Sequence, residues 1–96
     1  MITINDRSYH FRFSYKAIKS FLAESGGSLS DLSNEQFMLL NLPSLLFHGI
    51  ASGQKFADAE MDLTVEQIED WIDEDMSNVQ KAFEAINNEN PQSEGE

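Results

Sequence analysis

The chain has 96 residues and no cysteine, and its 17 acidic side chains against 6 basic ones give a net charge of −11. A chain of this length folds as about one small domain around a single core, and without cysteine it holds no disulfide, thiolate metal site or cysteine nucleophile. The negative charge repels phosphate backbones and so argues against nucleic-acid binding. The sequence shows no export signal and no apolar run long enough to cross a bilayer, so we expect a soluble cytoplasmic protein without membrane contact.

Acidic residues are concentrated in the second part of the chain. Residues 1–56 contain four acids and five bases, whereas residues 57–96 contain thirteen acids and one base. A nearly neutral front part is therefore followed by a strongly acidic one.

Alternating apolar residues open the chain and predict a β-hairpin over residues 2–13. The polar residues 5–8 between the two predicted strands have the composition of a hairpin turn. A two-stranded hairpin is marginal in water, so helices are expected to cover its apolar face. That face consists of Ile2, Ile4, Tyr9, Phe11 and Phe13.

Helical spacing of apolar residues begins after the hairpin. Ser14 is the predicted N-cap of the first helix, and the pair Gly26-Gly27 is predicted to end it with a left-handed glycine cap. A capping box that begins at Ser33 is predicted to open a central helix, which Ser52-Gly53-Gln54 is predicted to end. Because this helix is apolar on nearly every face, we expect it to be buried on all sides. Pro43 either kinks it or starts a second helix.

Two further capping boxes, at residues 64–67 and 77–80, predict the last helices. The expected fold class is therefore α+β, with an N-terminal β-hairpin packed on a mainly helical bundle of four to five helices. Residues 1–86 are predicted to form a single globular domain. Residues 87–96 contain no large apolar residue and are predicted to be a disordered acidic tail.

Residue types that carry catalysis are few, and none lies in a recognisable pattern. His10 on the second predicted strand and His48 on the central helix belong to no nucleophile or zinc motif, so both are interpreted as structural or surface residues. Acids between Asp58 and Glu69 match the ligand spacing of a calcium loop, but Leu63 stands where that loop needs glycine. We interpret the segment as a solvated acidic loop and expect no enzymatic activity, cofactor or metal.

Trp71 lies within the acidic run at residues 69–75, and two interpretations of it stay open. Either it anchors a solvated helix in the core, or it lies at the rim of an acidic binding surface, where tryptophan often dominates binding. The central helix carries more large apolar residues than a small domain readily covers, and the hairpin offers an exposed edge. Self-association is therefore also expected.

The order and spacing of several motifs resemble the tail assembly chaperones of long-tailed phages and prophages. The resemblance covers residues 2 to about 86. It is carried by the pattern Ile-x-Ile-Asn-x-x-x-Tyr-x-Phe-Arg-Phe-Ser at residues 2–14, by the leucine-rich central helix, and by residues 16–21, 27–32 and 62–74.

The resemblance implies a non-enzymatic protein that binds the tape measure protein, a very long helical chain, and keeps it soluble while the tail tube assembles. The tail tube protein is a second implied partner. Such chaperones work in the cytoplasm of the bacterial host and are absent from the mature virion. We expect partner contacts at Met38, Phe47 and Trp71, because methionine adapts to varied partners and aromatic residues dominate binding hot spots.

A different class of function stays open. Carboxylates at residues 58–75 with phosphate-like spacing would suit a small acidic inhibitor that mimics DNA and blocks a nucleic-acid-binding protein. Mimicry predicts an affinity that falls steeply with salt, whereas binding through an apolar groove predicts an affinity that salt changes little.

Overall fold

An antiparallel hairpin and five α-helices make up the part of the chain that the computed structural model describes, residues 1–89. The strands are β1 (Ile2–Ile4) and β2 (Arg7–Tyr9), and a 3-10 helix over Leu29–Ser33 follows the first α-helix. This architecture confirms the predicted α+β class. The α-helices are α1 (Tyr15–Ser25), α2 (Glu35–Leu40), α3 (Leu42–Phe56), α4 (Val65–Glu74) and α5 (Ser77–Glu89).

The hairpin is tighter than predicted. Asn5 and Asp6 alone connect the strands, with φ angles of 54° and 67°, and Ile4 pairs with Arg7. Positive φ at both central residues defines a type I′ turn, whose twist matches that of paired strands, and Asn and Asp tolerate this backbone. Strand pairing ends at Tyr9, so the paired segment is shorter than the predicted hairpin over residues 2–13.

Residues 10–13 stay extended, but their partner is a helix instead of a strand. The backbone N–H of Arg12 donates to the carbonyl of Gly49 on α3 at 3.0 Å. Such a close approach requires a helix face without side chains, which Gly49 and Gly53 supply: a Cβ added at Gly53 would lie 2.5 Å from the carbonyl carbon and oxygen of His10. The predicted alternation of burial still holds, with Phe11 and Phe13 buried.

Gln54 fixes the same segment from inside α3. Its side chain is buried, with 4% of its surface exposed. Its Oε1 accepts from the backbone N–H of His10 at 2.8 Å, and its Nε2 donates to the carbonyl of Glu60 at 2.7 Å. Because buried amides need hydrogen-bond partners, this one side chain determines where the segment after the hairpin and the loop after α3 lie.

Two predicted helix starts are confirmed. The Oγ of Ser14 accepts from the N–H of Ala17 at 3.2 Å, and Gly26 ends α1 with a φ of 76°, a backbone that glycine adopts at little cost. Thr64 and Gln67 form the expected capping box at the start of α4. The Oγ1 of Thr64 accepts from the N–H of Gln67 at 3.2 Å, and the Oε1 of Gln67 accepts from the N–H of Thr64 at 2.9 Å.

Two other predicted caps are wrong. Ser33 belongs to the 3-10 helix, and Asn34 caps α2 instead, with its Oδ1 accepting from the N–H of Gln36 at 2.9 Å. Ser77 lies inside α5, and its backbone N–H donates to Oδ1 of Asp75 at 3.0 Å, which lowers the pKa of that carboxyl. In both cases a longer polar side chain just upstream reaches the unpaired N–H groups of the first turn.

The central apolar segment is two helices, and the second continues to Phe56, past the end predicted at Ser52-Gly53-Gln54. Helix α2 ends at Leu40, and Pro43 lies in the first turn of α3, where its missing N–H leaves no bond unmade. Of the two possibilities for Pro43, the start of a second helix is the one found. The residues of α3 that face the core are fully buried between α1 and α4, namely Leu42, Leu45, Leu46 and Ile50.

Helix α5 closes the fold by packing on α4 and on β1. It buries Ala82, Ala85 and Ile86 and continues to Glu89. Residues 87–89, placed by prediction in a disordered tail, are therefore helical. The remainder of that predicted tail, residues 90–96, lies outside the described residues.

Candidate protein-binding surface

Helix α2 exposes two adjacent leucines because its other side is fixed in the core. The ring of Phe37 meets that of Phe21 edge to face, with centroids 5.9 Å apart, and Met38 is buried. Successive helical residues are about 100° apart around the axis. On a helix of six residues, burying Phe37 and Met38 turns Leu39 and Leu40 outward, where 47% and 72% of their surfaces are exposed. The expectation that the central segment is buried on all sides is wrong here.

An apolar groove lies between α2 and α5, and we call it the α2–α5 groove. Its volume is about 540 Å³. Met38 and Leu39 form one wall, and Met76, Val79 and Phe83 form the other. Met76 is 68% exposed just before α5 begins, whereas Val79 and Phe83 are half-buried. The groove thus presents flexible and aromatic side chains, which accommodate varied apolar ligands.

A second groove adjoins the first and carries negative charge on one side. It has a volume of about 400 Å³ and lies between the start of α3 and α4. Leu39 lines both grooves and so forms a ridge between them, whereas Leu40 lines the second groove alone. On the α4 side the lining consists of one apolar residue, Ile72, and three exposed carboxylates, those of Glu69, Asp70 and Asp73.

The carboxylates stay exposed because α4 is strongly amphipathic. Ile68 and Trp71 bury one side of the helix, and the acids occupy the opposite side, facing solvent. An apolar ridge beside exposed carboxylates suits an amphipathic helix whose apolar stripe is flanked by lysine or arginine.

One polar cluster between α1 and α3 brings together Ser44, Glu24 and His48. Their arrangement does not activate a nucleophile. Oε1 of Glu24 accepts from Oγ of Ser44 and lies 3.0 Å from Nε2 of His48. A serine nucleophile requires its hydroxyl to donate to the histidine, and here both groups meet the carboxylate instead. The contacts join α1 to α3. Within residues 1–89, no three or more His, Asp or Glu side chains are grouped so as to hold a metal ion.

The Glu24 cluster gives a prediction of pH dependence. Hydrogen bonds from Ser44 and then His48 lower the pKa of Glu24 below its ordinary value of 4.5. The unfolded chain therefore binds the proton more readily, and the stabilisation is present above that value and lost as pH falls through the lower folded pKa. Since Glu24 is largely exposed, we expect Glu24→Gln to cost about 0.5 kcal/mol at neutral pH.

Urea unfolding of the wild type and of Glu24→Gln, repeated from neutral pH down through the acid range, measures this effect. The two stabilities should converge as the carboxyl is protonated. A difference that stays constant throughout would show that the Glu24 charge does not contribute.

The segment that matches a calcium loop is held by other contacts. Asp62 accepts from the guanidinium of Arg7 and from the hydroxyl of Tyr9, the latter at 3.3 Å. The Arg7 guanidinium also lies over the Tyr9 ring, 5.4 Å from its centroid. Asp62 therefore joins the hairpin to the loop before α4.

No significant match is found among known protein families, curated proteins or solved structures. No helix among residues 1–89 combines the length and apolar character needed to cross a bilayer.

Of the three residues predicted to contact a partner, one lines a groove. Met38 lies in the wall of the α2–α5 groove with 8% of its surface exposed. Phe47 is half-buried on α3 and packs edge to face against His48. Trp71 is 5% exposed and belongs to the core, and its carbonyl accepts from the side chain of Asn78 at 2.7 Å. Neither Phe47 nor Trp71 lines the two grooves.

Sequence reasoning missed three exposed residues of this surface, Leu39, Leu40 and Met76. A signal for the two leucines was present in residues 41–43, Asn-Leu-Pro. Proline in a first turn makes the preceding helix end early, and a helix as short as α2 cannot cover all its faces. Met76 gave no such signal, because its exposure depends on how α5 packs against the other helices.

Proposed function

We propose that this protein is a non-enzymatic assembly chaperone that binds an amphipathic helix of a long partner in the α2–α5 groove. The observation that carries the proposal is the exposed apolar surface of Leu39 and Met76, which line that groove, and of Leu40, which lines the adjoining groove. Long amphipathic chains that await assembly aggregate through their apolar stripes. A groove that covers such a stripe, on a protein with a net charge of −11, would keep the complex in solution.

The partner proposed is the tape measure protein of a long-tailed phage, with the tail tube protein as a second partner. Support comes from the resemblance of residues 2–86 to tail assembly chaperones, together with a groove of the kind that a helical chain requires. The compartment proposed is the cytoplasm of the bacterial host, and the protein would be absent from the mature virion.

Co-expression with the tape measure protein proposed as its partner tests the proposal. We expect the long chain to stay in solution with the wild type and to elute with it at about 0.5 M NaCl, because apolar contacts resist screening. Met76→Asp and Leu39→Asp should each weaken the complex at least about tenfold, which is about 1.4 kcal/mol, since a carboxylate would enter the groove.

Leu29→Asp is the matched control. Leu29 is 65% exposed on the 3-10 helix and lines neither groove, so the same substitution there should leave binding unchanged. Met76→Asp should also fold normally, because a carboxylate just before α5 interacts favourably with its N-terminus. The proposal fails if the tape measure protein is equally soluble without this chain, or if all three variants bind alike. A second copy in the groove would appear as a dimer that Met76→Asp dissociates.

DNA mimicry has one structural observation in its favour, the exposed carboxylates Glu66, Glu69, Asp70, Asp73 and Glu74 of α4. Mimicry would require these acids and not the leucines. Binding to a nucleic-acid-binding protein would then survive Leu39→Asp and would fall steeply with salt. Groove binding gives the opposite result in both measurements.

A further inference from the structure

We propose that a cleft between α1 and α3 binds a short acidic peptide segment of another protein. This cleft, called the basic cleft below, has a volume of about 830 Å³ and lies apart from both grooves. Its lining includes three cations and two exposed aromatic rings: Arg12, Lys16, Lys55, Tyr15 and Phe56.

The concentration of cations is unusual for this chain. Three of its 6 basic residues line the one cleft, although acids number 17. No carboxylate lines it, and none of the three cations lies within ion-pair distance of a carboxylate in the described part of the chain. Glu24 contacts the lining residue His48 but does not itself line the cleft, and its carboxylate also accepts a hydrogen bond from Ser44. Unpaired cations in a concave site raise the local concentration of anionic ligands.

Arg12 is held in a position suited to carboxylates. Its guanidinium lies over the ring of Phe56, 4.2 Å from the centroid. This contact with the ring uses none of the N–H groups as hydrogen-bond donors, so they stay free to form paired bonds with a carboxylate. Hydroxyl groups of Ser14, Ser20 and Ser52 add further polar lining.

The aromatic residues favour a peptide over a simple anion. Tyr15 and Phe56 are 76% and 73% exposed, so each offers a ring face at the rim of the cleft. A bound apolar side chain would cover these faces while neighbouring carboxylates pair with the cations.

Overall charge favours a short acidic segment over nucleic acid. A duplex carries about one charge per 1.7 Å over its whole length and would meet the acidic residues of α4 and α5. A peptide with a few local carboxylates interacts with the cleft alone.

Fluorescence anisotropy with a dye-labelled octapeptide of glutamates around a central phenylalanine tests the proposal. We expect saturable binding that weakens as salt rises from about 50 to 200 mM NaCl, because the contacts are charged. Lys16→Glu combined with Lys55→Glu should weaken binding at least about tenfold. Phe56→Ser should also weaken it, by removing both the ring and the support of Arg12.

Lys19→Glu combined with Lys81→Glu is the matched control, because it changes the net charge equally at two exposed positions outside the cleft. That variant should retain most of the affinity, and circular dichroism should show that every variant is folded. Equal losses in the two double variants would overturn the proposal in favour of a general charge effect. It would likewise be overturned if a lysine octapeptide or an oligothymidylate bound as well.

Discussion

Gly53→Ala is expected to destabilise the fold by about 2–3 kcal/mol, even though alanine favours helices more than glycine does. In the interior of an exposed helix this change would stabilise by about 1 kcal/mol. Here the new Cβ would lie 2.5 Å from backbone atoms of His10. Backbone held by its own hydrogen bonds cannot move aside as a flexible side chain can, so overpacking dominates.

The sign of the change in unfolding free energy shows whether helix propensity or packing dominates at residue 53. Urea unfolding should show a lower midpoint for Gly53→Ala with an unchanged slope. Gly49→Ala should also destabilise the fold, because its Cβ would overlap the ring of Phe11, which is buried in the core. Ser20→Ala, at an exposed position of α1, should alter stability by no more than about 0.5 kcal/mol. If Gly53→Ala were as stable as the wild type, the close contact between α3 and residues 10–12 would be incorrect.

Gln54→Glu is expected to cost about 3 kcal/mol or more at neutral pH. The change keeps the shape of the side chain but removes the donor to the Glu60 carbonyl and places a charge in a buried site. A buried carbonyl left without its donor and a desolvated carboxylate both destabilise the folded state.

The cost of Gln54→Glu should shrink as pH falls. Burial raises the pKa of the introduced carboxyl, so the folded state binds the proton more tightly than the unfolded chain, and stability decreases as pH rises. Once protonated, the carboxyl can again donate to one neighbour and accept from the other. Unfolding free energies relative to the wild type, measured from neutral to mildly acidic pH, check the slope. Gln36→Glu, exposed in the first turn of α2, should change stability by no more than about 0.5 kcal/mol at neutral pH, in the stabilising direction, because a carboxylate there interacts favourably with the helix N-terminus.

Features governed by neighbouring residues could be predicted from the sequence. The N-caps Ser14 and Thr64 and the terminal glycine Gly26 follow from side chains that act within one helical turn. The hairpin was predicted for the same reason, since alternation and turn composition are local signals.

Features that depend on distant residues could not be predicted in the same way. The second strand ends at Tyr9 because the residues after it pack against Gly49 and Gly53 of α3. No residue close to Tyr9 in the sequence indicates that a helix packs against this segment. Asn34 replaced Ser33 as a cap because the 3-10 helix includes Ser33. Both serine and asparagine satisfy the capping pattern, so local preference alone could not decide between them.

The candidate surface likewise combines features that the local sequence indicates with features that depend on distant residues. An excess of apolar residues in the central segment was visible, but which of them stay exposed depends on the short length of α2 and on the packing of Phe37. Trp71 had two open interpretations, and its 5% exposure favours the core. The basic cleft could not be predicted, because Arg12 and Lys55 are far apart in the chain and meet only when α3 packs beside the extended segment.

The packing of α5 on β1 has a consequence for synthesis on the ribosome. The first strand leaves the ribosome long before the last helix, so its apolar face stays uncovered until translation passes Ile86. The α2–α5 groove likewise does not exist until both of its walls have been made. A nascent chain therefore cannot bind another protein through this groove before α5 has been made. Under the proposed function, only finished copies of this protein can cover the apolar stripes of a partner and keep them from aggregating.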